Sequence, residues 1–551
     1  MKVSLKQIFV ISKRKALLSI IFGIFFSCCV IIGDGLYTEM FRQVAQFDKV
    51  QKVLFILKNV GIVVGSMALF WGLSSCEFEI KNNTFFEGKK VLLAGWGCMV
   101  VCYIPALISF LPGLLAYDTR WQTYQIYGIY SMTNHHPILH TYLWKLFLVI
   151  GEKFGSLEVG IMLYSIFQLL VLTFMFMIFV LWFGKNIKNK YLQVAAYLFF
   201  SLNPTFHLLI IQSDKDVLFG GCMLLWTAFL IDAIREKKMS PKLMIMTIFG
   251  SAFRHNGFYA ILVMALLVTI VCLLRKSLRE KYKGMLMSLF LGLIIYFVVL
   301  KSVLFIGDIP GASVREMLSV PCSQLANVYL NEVYNNEDST LTEEEQQLIV
   351  KYIPNVESYN MRLADFVKGT FNDVAFEENP VEFIKLWIRC FFKYPVRYIY
   401  ATLQLTIYYW CPTANDFPDA YSGEAYIQSV RRDPWDIILI EDWDCWPQMR
   451  NFYHSIGQFN NVLMRMPVIS FCFSLSFPFF IIVFSLHRIL YKKEFSKIII
   501  LLFPILYMCT LLVGPVCNYR YIFPLILQVP VFMSLIFINY NKTAKIEERL
   551  L

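Results

Sequence analysis

Stretch after stretch of this chain is apolar for long enough to cross a bilayer, and that feature excludes most folds. A helix needs roughly 17–25 mostly apolar residues to span the hydrocarbon. Such runs occur near 16–32, 53–73, 91–111, 159–183, 192–211, 216–234, 285–306, 467–486, 498–516 and 521–538. The stretch 243–274 is interrupted by Arg254-His255-Asn256-Gly257 and reads as two membrane segments joined by a polar turn. The shorter run 138–150 reads as a buried or partly inserted helix. With 58% hydrophobic and 16% charged residues, the chain is far less charged than a soluble domain, which carries about a quarter. The expected class is therefore an all-α polytopic membrane protein with about 12 membrane segments.

The net charge of +11 does not indicate nucleic-acid binding, because the basic residues sit in short runs beside apolar spans. These runs are Lys13-Arg14-Lys15, Lys185 to Lys190, Arg235 to Lys238, Arg275 to Lys283 and Lys492-Lys493. This is the positive-inside pattern. Placing every basic loop on one side makes both termini cytoplasmic and puts 112–158 and 307–466 outside. The expected organisation is a transmembrane module 1–306 with first outer loop 112–158, an extracytoplasmic α-rich segment 307–466, and C-terminal spans and tail 467–551. The first span follows a basic stretch without a convincing cleavage site and reads as uncleaved. Within the outer segment lie an acidic run, Asn335 to Gln347, and a Trp/Asp-rich run, Arg431 to Trp446. Residues 382–410, apolar with interspersed Lys385, Arg389, Lys393 and Arg397, read as an interfacial helix with snorkelling basic side chains. Most of the fourteen Cys lie in apolar spans, where Cys acts as a small hydrophobe. The outer pair Cys411 and Cys445 is the disulfide to test.

Ionisable groups at membrane depth are costly, so they are usually paired or functional. Five polar clusters fall on the expected outer side. In Tyr117-Asp118-Thr119-Arg120-Trp121-Gln122, helical spacing puts Tyr117, Trp121 and Tyr124 on one face, toward lipid, and Asp118, Gln122 and Gln125 on another, toward a cavity. The competing reading is a solvated Asp118 paired with Arg120. Asn134-His135-His136-Pro137 and His140 concentrate histidines, which suit either metal binding or hydrogen bonding in a turn. Ser213-Asp214-Lys215-Asp216 ends a span broken at Asn203-Pro204, and Arg254-His255-Asn256-Gly257 breaks a membrane helix, as is tolerated beside a cavity or inside protein. Asn518-Tyr519-Arg520-Tyr521 places a phosphate-competent guanidinium, or an interfacial anchor, between the last two spans.

In that order the clusters resemble the C-type (GT-C) superfamily of membrane glycosyltransferases, over roughly residues 90–310 and the final spans. The likeness is strongest to an uncharacterised bacterial branch. The resemblance implies a GT-C-like bundle in a bacterial plasma membrane, a polyprenyl-phosphate-linked sugar donor, and an extracytoplasmic glycan, lipid or protein acceptor. It implies Asp118 as catalytic base for transfer with inversion, and Lys215, Arg254 and Arg520 as donor phosphate-binding cations. His135, His136, Asp214, Asp216, His255 and Asn256 would bind substrate. Asp118 is followed by Thr119, not by the second acidic residue some families carry, so a divalent cation (Mg or Mn, with Asp118 and His135 as ligands) stays open. A flippase for a lipid-linked sugar and a glycan polymerase or ligase are the rival readings.

Overall fold

A computed structural model describes residues 12–38, 43–75, 86–334, 339–414, 430–432, 438–457 and 466–537. Parts of the acidic run (335–338), of the Trp/Asp-rich run (433–437) and the tail 538–551 lie outside the described residues. No strand occurs among the described residues; the protein is all-α.

The first half comprises α1 (Lys13–Tyr37), α2 (Lys49–Ser75), α3 (Lys89–Ser109), α4 (Tyr117–Ile126), α5 (Ile138–Lys153), α6 (Leu157–Ile187), α7 (Lys190–Leu202), α8 (Pro204–Ile210), α9 (Lys215–Glu236), α10 (Pro241–Phe253), α11 (His255–Leu274) and α12 (Arg279–Ile306). The segment 307–466, the outer segment of the sequence expectation, contributes α13 (Ser319–Tyr334), α14 (Glu343–Tyr352), α15 (Pro380–Lys393), α16 (Pro395–Trp410) and α17 (Pro447–Gly457). The chain ends in α18 (Pro467–Phe473), α19 (Phe477–Lys492), α20 (Ile498–Leu511), α21 (Tyr519–Leu527) and α22 (Val529–Phe537).

Seven of these helices are long and apolar enough to cross a membrane, or eight if α21 and α22, bent by 48°, form one span. The expected number is larger because several runs fold as shorter or broken helices. Asn203-Pro204 divides α7 from α8, and Arg254, in extended conformation, divides α10 from α11. The run 138–150 forms α5, which buries Trp144 and Leu148 and exposes Leu146 and Val149.

Helix α9 is the axis of the bundle. It is buried on nearly every side, as expected of a helix apolar all round. Lys215 and Arg235 stand at its two ends, 20 residues and therefore roughly 30 Å apart, about one hydrocarbon thickness. At the Arg235 end, basic side chains bond to neighbouring helix ends: Arg235 to Asn186, and Lys15 Nζ to Ser75 Oγ at 2.7 Å. The other end holds the charged clusters.

The outer segment builds a second core from Cys322, Leu325, Ile349, Tyr352, Phe383 and Tyr398. The single interfacial helix expected over 382–410 is two helices, because Pro395 has no N–H with which to continue α15. Helix α15 buries Phe383, Leu386 and Cys390 and leaves Val381, Ile384, Ile388 and Phe392 exposed beside Arg389, so an apolar, basic-edged face does point outward. Cys411 and Cys445 do not form a disulfide: both thiols are free, Cys411 buried beside Gly33 of α1 and Cys445 exposed.

Candidate functional site

Two loops set the frame. Residues 114 and 212 pair as short parallel segments, with Ser213 N donating to Leu114 O at 2.9 Å. Gly113, at φ +137° in the left-handed region, turns the first loop and lies against Ser165, where a side chain would not fit. Each loop then opens a helix, α4 one residue before Asp118 and α9 at Lys215. Thr119 Oγ1 donates to Ser213 O, holding the two helix starts together. From the outer segment, Val430 N bonds Leu115 O at 2.9 Å and Arg431 bonds Gly113 O at 3.2 Å, which closes the first loop over.

Capping then aims the charges. Asp214 is the N-cap of α9 and accepts from Asp216 N at 2.9 Å; Asn518 is the N-cap of α21 and accepts from Arg520 N at 3.0 Å. Asp and Asn favour this position because their oxygens satisfy free N–H groups of the first turn. Lys215, Asp216 and Arg520 are thereby fixed in first turns that face one another. Arg254 arrives from the α10–α11 break. That break packs closely on α9 because Gly257 has no side chain: a Cβ there would meet the Phe219 ring and lie 3.0 Å from Gly250 O.

The result is one ion network. Asp118 pairs with Lys215 through Oδ2 and with Arg520 through Oδ1 at 2.9 Å. Arg520 also donates to Asp214 at 3.0 Å and lies 3.9 Å from Asp216. Asp216 pairs with Arg254. The Tyr521 ring sits under both guanidinium groups, at 4.4 Å from Arg254 and 4.8 Å from Arg520, and its hydroxyl accepts from Arg520 at 3.1 Å. Three carboxylates (Asp118, Asp214, Asp216) face three cations (Lys215, Arg254, Arg520), a formal sum of zero. Burial alone would raise the Asp118 carboxyl, but the charges of Arg520 and Lys215 together hold it well below the usual carboxylate range. Burial and neighbouring Lys215 push His136 well down, so its ring is neutral.

The histidines separate. His136 Nδ1 lies 3.9 Å from Asp118, whereas His135 turns to Glu316 at 3.6 Å. His140 belongs to a structural relay, bonded to Gln122 at 2.9 Å and Tyr164 at 2.8 Å. His255 reaches Asn134 O at 3.1 Å and so ties the histidine loop to the α10–α11 break. Asn256, partly exposed on the first turn of α11, makes no hydrogen bond to these groups. Arg120 does not pair with Asp118; it stacks on Tyr117 at 4.2 Å and Trp121 at 5.3 Å. The aromatic face of α4 does not look to lipid as expected: Tyr124 is buried in the core and Trp121 packs against it. A divalent cation held by Asp118 and His135 does not fit, because both Asp118 oxygens already carry cations and His135 is turned to Glu316. No group of three His, Cys, Asp or Glu suited to a metal ion occurs among the described residues.

Sequence reasoning gave Tyr521 and Glu316 no role. The first was visible only as a neighbour of Arg520, and nothing marked the second.

Fold and site together define an all-α polytopic protein with a buried, charge-balanced cluster at one end of its apolar bundle. The chain belongs to a family described as Family of unknown function (DUF6020), whose model matches residues 129–550. That match includes Lys215, Arg254 and Arg520 and begins beyond Asp118. No curated protein and no solved structure matches the chain.

Proposed function

We propose that this protein is a membrane glycosyltransferase that moves a sugar from a polyprenyl-phosphate donor to an extracytoplasmic hydroxyl acceptor, with inversion. The observation that carries this reading is the meeting of one partly accessible carboxylate, Asp118, with Lys215 and Arg520 from distant parts of the chain, in a network that a third cation, Arg254, joins through Asp216. The proposed protein has about twelve membrane segments, both termini cytoplasmic and 307–466 outside, in a bacterial plasma membrane.

The acceptor oxygen attacks the anomeric carbon while its proton passes to Asp118. The bond from that carbon to the phosphate oxygen breaks, and its electron pair leaves with the phosphate. Asp118 is ionised at neutral pH and therefore able to take the proton; a positioned base is worth about 10²–10⁴-fold. Arg254, Arg520 and Lys215 stabilise the charge growing on the departing phosphate, and they do so best in a water-poor site. Tyr521 orients both guanidinium groups, and neutral His136 offers a hydrogen bond to sugar or phosphate. His135, His255 and Asn256 line the approach from the histidine loop, and Asp214 and Asp216 hold the cations.

The test uses purified protein in liposomes supplied with polyprenyl-phosphate sugar and a membrane extract as acceptor source. Wild type forms a new glycosidic bond; Asp118→Asn loses at least about 100-fold of that activity per folded molecule. Normal transfer by the variant removes Asp118 from catalysis. Labelled lipid crossing the bilayer with no new bond would identify a flippase.

A further inference from the structure

The cations that a donor phosphate needs are the ones that occupy Asp118. Lys215 spends its charge on Asp118 Oδ2, and Arg520 divides its fork between Asp118 Oδ1 and Asp214. The cluster is already neutral, so a phosphate that enters it brings charge that no spare cation answers. Something must yield. Asp214 and Asp216 cannot do so readily: their side chains are 1% and 0% exposed, and Asp214 also caps α9. Asp118 is 16% exposed and rides on α4, a helix of 10 residues lying outside the candidate spans. Two buried donors of the network make no hydrogen bond among the described residues: Arg254 Nε, and Arg520 Nε, which lies 3.9 Å from Asp216 Oδ2.

We propose that Asp118 is a latch: in the free protein it neutralises Lys215 and Arg520, and the donor's phosphate group displaces it, taking over both cations and releasing the carboxylate to the acceptor. This rests on the transferase reading and adds an order of events to it. Donor binds first, and only then does Asp118 lose the ion pairs that depress its basicity. Before the donor arrives the carboxylate is tied to cations and does not take a proton from water or acceptor. A latch closed roughly nine-tenths of the time lowers apparent phosphate affinity about tenfold. By reciprocity, the phosphate weakens the hold of the cations on Asp118 by the same factor.

The test is binding of a polyprenyl monophosphate, in nanodiscs, to wild type, Asp118→Asn, Asp118→Ser and Glu316→Gln. Asp118→Ser repeats the measurement should the Asn variant fail to fold. Glu316→Gln removes an equal charge beside His135 without touching Lys215 or Arg520. The latch predicts about tenfold tighter binding by both Asp118 variants and no change in Glu316→Gln. Equal or weaker binding by the Asp118 variants overturns it, even where wild type transfers sugar. Equal tightening in Glu316→Gln also overturns it, because bulk charge then explains the gain. Wild type that binds no monophosphate overturns the latch together with the donor assignment. Tighter binding in both Asp118 variants, beside a wild type that forms no glycosidic bond, keeps the latch and discards the transferase.

Discussion

Two regions of this protein are held by ion pairs, and they use them for opposite ends. In the outer core around α13, α14 and α15, pairs such as Lys351–Glu382 and Lys393–Glu345 keep at least one partner substantially in water. In the membrane-end cluster, Asp216–Arg254 and Arg520–Asp214 are almost wholly buried. Burying charge costs more than an apolar replacement of similar volume would, so a network like the second is weak support for stability. Its persistence in an otherwise apolar bundle points to a task. The first kind trims the surface; the second stores cations in a dry place.

If that contrast is right, substitutions should separate the two regions. The largest effect belongs to Arg520→Ala, which leaves Asp118 and Asp214 without their shared cation. Thermal or denaturant unfolding in detergent should show a loss of about 3–5 kcal/mol. An unchanged melting profile would mean that the cluster is wet and the contrast false. Next, Arg254→Lys keeps a cation for Asp216 but removes the planar fork over Tyr521. Polyprenyl monophosphate binding should fall about tenfold with little change in melting, since Lys does not reproduce bidentate phosphate contacts. Equal affinity would place the phosphate elsewhere.

Smaller still is the acid response of the outer core. Burial alone would raise the Glu345 carboxyl, but hydrogen bonds from Lys393 and the Thr342 backbone, with the charges of Lys393 and Arg389, hold it below its usual value. A depressed carboxylate contributes stability that is present above its unfolded value, about 4.3, and lost as pH falls through the folded one. Glu345→Gln should therefore flatten the stability profile of the outer segment below about pH 4 and nowhere else. Hydrogen exchange across 343–352 would register it; an identical acid limb in the variant contradicts it. Smallest is Lys351→Gln, which removes one half of an exposed pair and should leave melting unchanged within error.

Much of this protein was legible as written. Apolar runs of spanning length fix an all-helical membrane protein because a bilayer satisfies no backbone group, so each segment must satisfy its own. The positions where charge interrupts those runs, at 214–216, 254–257 and 518–520, marked the site. Asp214 and Asn518 stood in those polar clusters, but their capping of α9 and α21 came from the structure. Only the tertiary structure decided who meets whom. Asp118 and Arg520 are 402 residues apart, and no local pattern couples them. It sent His140 into a structural relay and His135 to Glu316, turned Tyr124 into the core, left Cys411 and Cys445 unjoined, and broke the 382–410 helix at Pro395. Helix periodicity tells which residues share a face, but the packing partner of that face is set by how distant segments fill space together, and that information is spread over the whole chain.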